Sequence, residues 1–379
     1  MESLQLPICV HCRRSKITCV YEPYSVNVAD RRVKAPPPRR AHNHVLSSLI
    51  DTYFTHVHNQ PYSYFHEPSF RGHGYPFSDL VSDDDMNLHV VQAVNMLAVV
   101  GHTAGRINLG WVKLGLAARI SQGMGLMREP DCWLPVTEQE KRRRVFWSVY
   151  LLDKLISCGQ SKPVVILDKD CQLHLPCTEE GFKNGEAQTT STVEKMLSWN
   201  AELTRVPSPF ALVLPLASNI GRCTRHMYWN SEDDIPPWDT QSEYSAITST
   251  LLLFESYVEM DAPRPSDPDS PTQDSASDHQ EVERQTYAHT VYHLCHCLLN
   301  HPFLIHLRCQ PLRSKIPRSF ATRSLQAAVD HATLLVETLV SASQAGTLIE
   351  SSSYAYCIVI AGTIHSIASH AEAQIHSTS

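Results

Sequence analysis

Thr137-Glu138-Gln139-Glu140-Lys141-Arg142-Arg143-Arg144-Val145-Phe146-Trp147-Ser148-Val149-Tyr150-Leu151-Leu152-Asp153-Lys154-Leu155-Ile156 runs without a glycine or a proline. Val145, Val149, Leu152 and Ile156 recur at helical spacing and make one apolar stripe, and Trp147, Leu151 and Leu155 make a second. Two stripes bury a helix over much of its circumference, so the spacing predicts a central helix over 138–158. Thr137, followed three residues on by Glu140, reads as a capping box at its start. Asp153 in such a helix is expected to be a hydrogen-bonded core carboxylate. Arg142, Arg143 and Arg144 sit in the first turns, unfavourably for cations against the helix dipole, and are expected to pair with acids on neighbouring helices.

Outward from this helix the 3.6-residue period continues. Toward the N-terminus it predicts helices over 111–124, 86–103 and 46–57. The last has Leu46, Leu49, Ile50, Tyr53, Phe54 and Val57 on one face, and Asn59-Gln60-Pro61 ends it. Tyr62 to Phe70 is too polar and proline-broken to be a strand. Toward the C-terminus, 160–185 reads as irregular, and helices follow over 191–206, 209–229, 242–259, 283–308, 320–343 and 352–370. Residues 261–281 are polar, acidic and proline-rich, and are expected to form a disordered acidic loop. No βαβ alternation and no glycine-rich phosphate loop occurs. The fold class is all-α, a large helical domain preceded by a short basic, cysteine-containing arm expected to be disordered.

At 379 residues, 42% hydrophobic and 19% charged, the chain can bury a sizeable core. The start carries no secretory leader pattern, and Tyr354 to Ala361 is too short to cross a membrane. Scattered cysteines without a leader are expected to be reduced thiols of the cytosol or nucleus. The net charge of −7 hides an asymmetry. Residues 1–44 hold eight Lys/Arg against three acids, a balance of +5, which leaves −12 on the remainder. A basic arm on an acidic body is the pattern of a tethered nucleic-acid-binding segment. Arg31-Arg32-Val33-Lys34-Ala35-Pro36-Pro37-Pro38-Arg39-Arg40, extended by its prolines, could track phosphates, serve as a nuclear import signal, or be a solvated linker.

Cys9-Val10-His11-Cys12-Arg13-Arg14-Ser15-Lys16-Ile17-Thr18-Cys19 has the order C-x2-C-x6-C. A C-x2-C pair can wrap two thiolates around one metal, and a third ligand seven residues on completes most of a tetrahedron. Arg13, Arg14 and Lys16 would then stand beside a fixed point, ready for phosphates or base edges. Zinc asks for four ligands, so Cys9, Cys12 and Cys19 are one short. His11 is poorly placed to reach the same ion, whereas His42 or His44 could serve as the fourth.

Spacing and basic filling resemble the fungal zinc binuclear cluster transcription factors, whose cluster holds two zinc ions with six cysteines. Arg13, Arg14 and Lys16 look like its first half. Pro7 and the exit Val20-Tyr21-Glu22-Pro23 look like its second half, and on that reading the chain starts inside the cluster. The resemblance continues in the body. Tyr53 to Phe70 is similar to the opening of the fungal transcription factor regulatory domain. Gly115 to Ile120 with Met124 to Pro130 is similar to a central helix and its exit, and Glu140 to Lys154 to its best-known motif. Pro237-Trp238-Asp239 and Tyr292 to Leu304 continue the ordered set, which covers about 41–310.

The resemblance implies a partial zinc cluster over 1–22, a basic linker over 23–40 and a regulatory domain over 41–379. It implies zinc as cofactor with Cys9, Cys12 and Cys19 as ligands, and DNA contact through Arg13, Arg14, Lys16, Arg31 and Arg32. The expected role is regulation of RNA polymerase II transcription in the nucleus, with a metabolic or secondary-metabolite gene cluster as a candidate target and DNA, the transcription machinery or co-regulators as partners. A homodimer is a further expectation, and membrane association is not expected. The alternative is a regulatory protein that uses only the helical body. The chain departs from the family in lacking half the cysteines, in a linker without heptads, and in Gly159-Gln160-Ser161-Lys162-Pro163 at a usual glycine-arginine-proline turn.

His289, His293 and Cys297 fall on one helix face, but the outer two are about 12 Å apart at 1.5 Å per residue, too far for one ion. Core histidines are expected there. No H-E-x-x-H, G-x-S-x-G, Walker or Rossmann pattern is present, and an enzyme is not expected.

Overall fold

In a computed structural model, the structure describes residues 43–72, 87–158, 162–198, 207–228, 235–260, 275–310 and 315–378. The described residues form α1 Asn43–His56, α2 Glu67–Gly72, α3 Leu88–Thr103, α4 Ile107–Gly123, α5 Val136–Ile156, α6 Glu179–Asn184 and α7 Val193–Met196. They continue with α8 Pro209–Tyr228, α9 Glu243–Met260, α10 Ser275–Leu299, α11 Pro302–Arg308, α12 Arg318–Gln344 and α13 Ser352–Thr378. Among the described residues there is no named strand, only the isolated bridges Arg128–Gln172 and His174–Thr192. The all-α expectation holds. Contact density separates Met1–Ile50 from Asp51–Ser379, and of the first unit only residues 43–50, in α1, are described.

Helix α5 lies where its two stripes require. Val145 to Asp153 are buried without interruption, and Trp147 and Tyr150 are fully buried. α5 packs against α3, α4 and α8. α8 is buried along almost its whole length, although Pro215 removes one N–H from its ladder. α10 joins α8 on one side and the α12–α13 pair on the other. The α3–α4 hairpin is drawn close by glycines: a Cβ at Gly110 would lie 2.9 Å from the Ala98 carbonyl oxygen. Gly185, at φ +71°, closes α6 in the left-handed conformation that glycine adopts without steric cost.

Several expectations are corrected. The Thr137/Glu140 capping box does not form. The helix starts two residues earlier, after Pro135, whose carbonyl accepts from Glu138 N and Gln139 N, and Glu140 turns inward instead. The acidic stretch 261–281 is not a loop to its end, because α10 begins at Ser275. The helix expected over 283–308 is two helices. His301, at ψ 120°, is held out of the helical region by Pro302, which becomes the first residue of α11. Of the helix expected over 191–206 the described part contains only the single turn α7. In α1, Phe54 is buried whereas Leu49 is exposed, as is Val57 just past the helix end, so the apolar face is narrower than its spacing suggested.

Candidate functional site

Cys9, Cys12, Cys19, Arg13, Arg14, Lys16, Arg31 and Arg32, with His42, lie outside the described residues. Among the described residues no group of three or more His, Cys, Asp or Glu side chains could hold a metal ion, and the nine cysteines from Cys132 to Cys357 are free thiols. No described helix is long and apolar enough to cross a membrane.

The body is organised by polar side chains that α5 sends into irregular chain on both sides. Arg144 is 1% exposed. Its Nε donates to Glu140 Oε1 at 2.9 Å, its Nη1 to Glu179 Oε2 at 2.5 Å and to Ser63 Oγ at 3.1 Å, and its Nη2 to the Cys177 carbonyl at 3.0 Å. The guanidinium also lies 4.2 Å from the centre of the Phe182 ring, a cation–π contact. Glu179 takes a second charge from Arg284 Nη2 at 2.9 Å. Burial pushes the Glu179 carboxyl up, but Arg144 and Arg284 together hold it well below the usual carboxylate range. Ser63 N donates to Ser148 Oγ at 3.0 Å, which fixes the aromatic segment after α1 to the same helix.

Further along α5, Trp147 Nε1 donates to the His174 carbonyl at 2.8 Å. Asp153 accepts from the amides of Val165 and Ile166 at 2.9 Å each, the core carboxylate expected of it. Lys154 Nζ reaches the Ile166 carbonyl at 2.7 Å and Asp168 Oδ1 at 2.9 Å. At the helix start Arg143 pairs with Glu129 at 2.6 Å. Burial raises the Glu129 carboxyl, yet hydrogen bonds from His174 and Arg143 bring it down to about 2. The arginine run is thus paired, partly with acids of its own helix and partly with acids of the flanking segments. A spacing rule within one helix could not single out Glu129 and Glu179.

Histidines cluster across α10 and α12. His293 Nδ1 and His331 Nδ1 are 2.9 Å apart, and the rings of His296 and His331 stack at 3.7 Å with a 4° tilt. Burial lowers His293 to about 3 and also lowers His296 and His331, so the cluster is neutral near pH 7. Core histidines were expected, but His331 is 38 residues from His293, and no local pattern links them.

A cavity of about 250 Å³ opens between α4, α5, α10 and α13. Leu152, Ile156 and Leu294 form apolar walls, and Tyr287, Tyr356 and His102 also line it. The Tyr287 and Tyr356 hydroxyls and His102 Nδ1 are buried without a hydrogen-bond partner. Ser353 stands beside the Tyr287 hydroxyl and Cys158 beside the Tyr356 hydroxyl. No signal in the sequence pointed to this set, which is drawn from segments far apart in the chain.

Residues 75–234 match the family model described as the fungal specific transcription factor domain. The citrinin biosynthesis transcriptional activator mrl3 of Monascus ruber is 23% identical over 225 residues, 56% of this chain and 43% of that protein. Transcription factor tazR of Aspergillus terreus is 25% identical over 194 residues, 48% of this chain and 29% of that protein. The pigment biosynthesis transcriptional activator pigB of Monascus ruber is 27% identical over 151 residues, 36% of this chain and 27% of that protein. The matches thus span less than half the length of these relatives. No solved structure matches the chain.

Proposed function

We propose that this protein is a fungal transcription regulator, with residues 41–379 as its regulatory domain and residues 1–40 as an arm that contacts DNA in the nucleus. The match of residues 75–234 to the fungal specific transcription factor domain carries the reading. Relatives named for citrinin and pigment biosynthesis support a role at a secondary-metabolite gene cluster. The buried ion pairs around Arg144 suit a rigid body on which regulatory contacts are displayed. DNA contact falls to Arg13, Arg14, Lys16, Arg31 and Arg32, and partners are the transcription machinery or co-regulators, with a homodimer as one form. The second reading is a regulator that works through the helical body alone. It is favoured by the donor count, since three thiolates do not complete a zinc site.

Binding of the 379-residue chain to DNA is expected to be weak and indifferent to sequence. With five phosphate contacts, affinity should fall roughly two to three decades between 50 and 200 mM salt. Fluorescence anisotropy with unrelated duplexes checks this, and nanomolar sequence-specific binding at physiological salt would overturn it.

Zinc content of the purified chain is expected to be below two ions per molecule, because a two-metal cluster needs six thiolates and only Cys9, Cys12 and Cys19 are suitably spaced. Mass-spectrometric metal analysis that returned two tightly held ions would contradict the donor count. The search for ligands would then turn to His42, His44 or a second chain.

A further inference from the structure

Residues 87–128, which hold α3 and α4, contain no Asp or Glu, while Arg106, Lys113, Arg119 and Arg128 carry positive charge. The body around them is acidic, with −12 over residues 45–379, so this hairpin is a local reversal of sign. None of the four cations has an acidic partner among the described residues. Arg119 Nη1 donates to Gln122 Oε1 at 2.9 Å, a neutral group of its own helix. The arginines at the start of α5 differ, since each of them is paired. Glu129, the next acid along the chain, is taken by Arg143 and His174.

The same hairpin exposes apolar side chains. Leu97 and Val100 on α3 are 50% and 55% exposed, and Leu109, Val112 and Leu116 on α4 are 45%, 60% and 52% exposed. Each helix sends its other side into the core, Val91 and Ala98 from α3 and Leu114 and Ala118 from α4, and α5 packs on both. The five exposed residues therefore share the outer side of the hairpin. Gly101 and Gly110 hold the two backbones close, since a Cβ at Gly101 would lie 3.3 Å from Gly110 Cα. At 3.6 residues per turn, Lys113 falls on one flank of the Leu109, Val112 and Leu116 stripe and Arg119 on the other. Scattered exposed leucines are ordinary, but a contiguous apolar face bordered by unpaired cations marks a contact surface.

We infer that the outer face of the α3–α4 hairpin is a docking surface for an acidic amphipathic helix of a partner protein. A third helix sets its apolar ridge into the furrow between two closely packed helices. From Ile107 to Arg119 the face is about 18 Å long at 1.5 Å per residue, room for a helix of roughly 12 residues. Leucines of the partner would cover Leu97, Val112 and Leu116, and carboxylates beside them would meet Lys113 and Arg119. Charge argues against two other occupants. A second copy related by a two-fold axis would set these cations against themselves, with no acid on the face to separate them. An anionic membrane would meet the −12 of the whole body, whereas a single helix meets only the hairpin. The inference does not rest on the DNA-binding reading, because the surface lies wholly within the body.

The test uses the full chain and two labelled synthetic peptides of about 16 residues, followed by fluorescence anisotropy. Both carry leucines at helical spacing; one has glutamates at the flanking positions and the other glutamines. The glutamate peptide is expected to bind with a micromolar dissociation constant, about tenfold tighter than the glutamine peptide. Lys113→Glu combined with Arg119→Glu should reverse that order. Val112→Ser combined with Leu116→Ser should weaken both peptides roughly tenfold, and the chain should fold because both side chains are exposed. Val359→Ser, at an equally exposed apolar position on α13, should change neither. Circular dichroism checks each variant, and if the charge reversal unfolds the chain, the peptide order on the parent and the serine pair decide. The assignment is overturned if the glutamate peptide does not bind at millimolar concentration, or if the glutamine peptide binds as tightly. Binding that survives both double variants would place the peptide on the basic arm and overturn it equally. So would phosphatidylserine vesicles that capture the parent but not the charge-reversed chain, or a dimer that the serine pair dissolves in sedimentation.

Discussion

Replacing Arg144 with methionine is expected to destabilise the body by about 3–5 kcal/mol, read as a fall in the urea midpoint. Methionine fills much of the same space beside Phe182 but leaves buried Glu140 and partly buried Glu179 with less opposing charge. It also removes the donors to Ser63 Oγ and the Cys177 carbonyl, which tie two irregular segments to α5. Arg144→Lys keeps the charge but loses the fork that serves Glu140, Glu179 and Ser63 at once, so it should recover only part of the loss. The pH dependence separates this account from simple loss of packing. Glu179 has its folded-state pKa depressed, so the stability it contributes is present above the unfolded value, about 4.3, and is lost as pH falls through the folded one. The deficit of Arg144→Met should therefore be widest above about pH 5 and narrow steadily below pH 4. A deficit independent of pH would show that Arg144 acts through shape, not charge.

What the sequence made legible was the part governed by local spacing. The two stripes of α5 place Trp147 and Val149 in the core because apolar side chains at helical intervals face one side wherever that side lies. Asp153 was legible for a related reason: a carboxylate inside a buried helix needs donors, and Val165 and Ile166 supply them. Boundaries were less legible. Pro302 carried enough information to divide 283–308, since a residue before proline avoids the helical region, but the apolar period runs on across it. Thr137 and Glu140 satisfied a capping pattern that a buried arginine overrode, because pairing Arg144 in the core outweighs satisfying one helix end at the surface.

The site itself lay beyond local reading. Tyr62, Tyr287 and Tyr356 meet around the cavity through the packing of α5, α10 and α13, and the three belong to no shared motif. Likewise Glu179 sits 35 positions from Arg144, and only the fold makes them partners. The basic and cysteine-containing arm shows the converse. Its chemistry is plain in the order of its residues, from Cys9 to Arg40, and its reading rests on donor count and charge.

Trp147→Ala is expected to cost about 3–5 kcal/mol, the range for truncating a large buried aromatic. Trp147 is fully buried and meets Phe146 and Tyr150 edge to face at centroid distances of 5.2 and 5.1 Å. Alanine would remove both ring contacts and leave a void that neighbours on a rigid, ion-paired helix cannot easily close. It would also leave the His174 carbonyl without the indole N–H that it accepts from. Trp147→Phe divides the two effects: it keeps much of the apolar volume, loses the hydrogen bond, and should cost about 1–3 kcal/mol. The ordering is the informative quantity. If α5 is the central element, alanine must be the more damaging by a clear margin in chemical denaturation. An alanine variant as stable as the parent would mean that the packing around α5 does not hold the fold, and that the central place given to this helix is wrong.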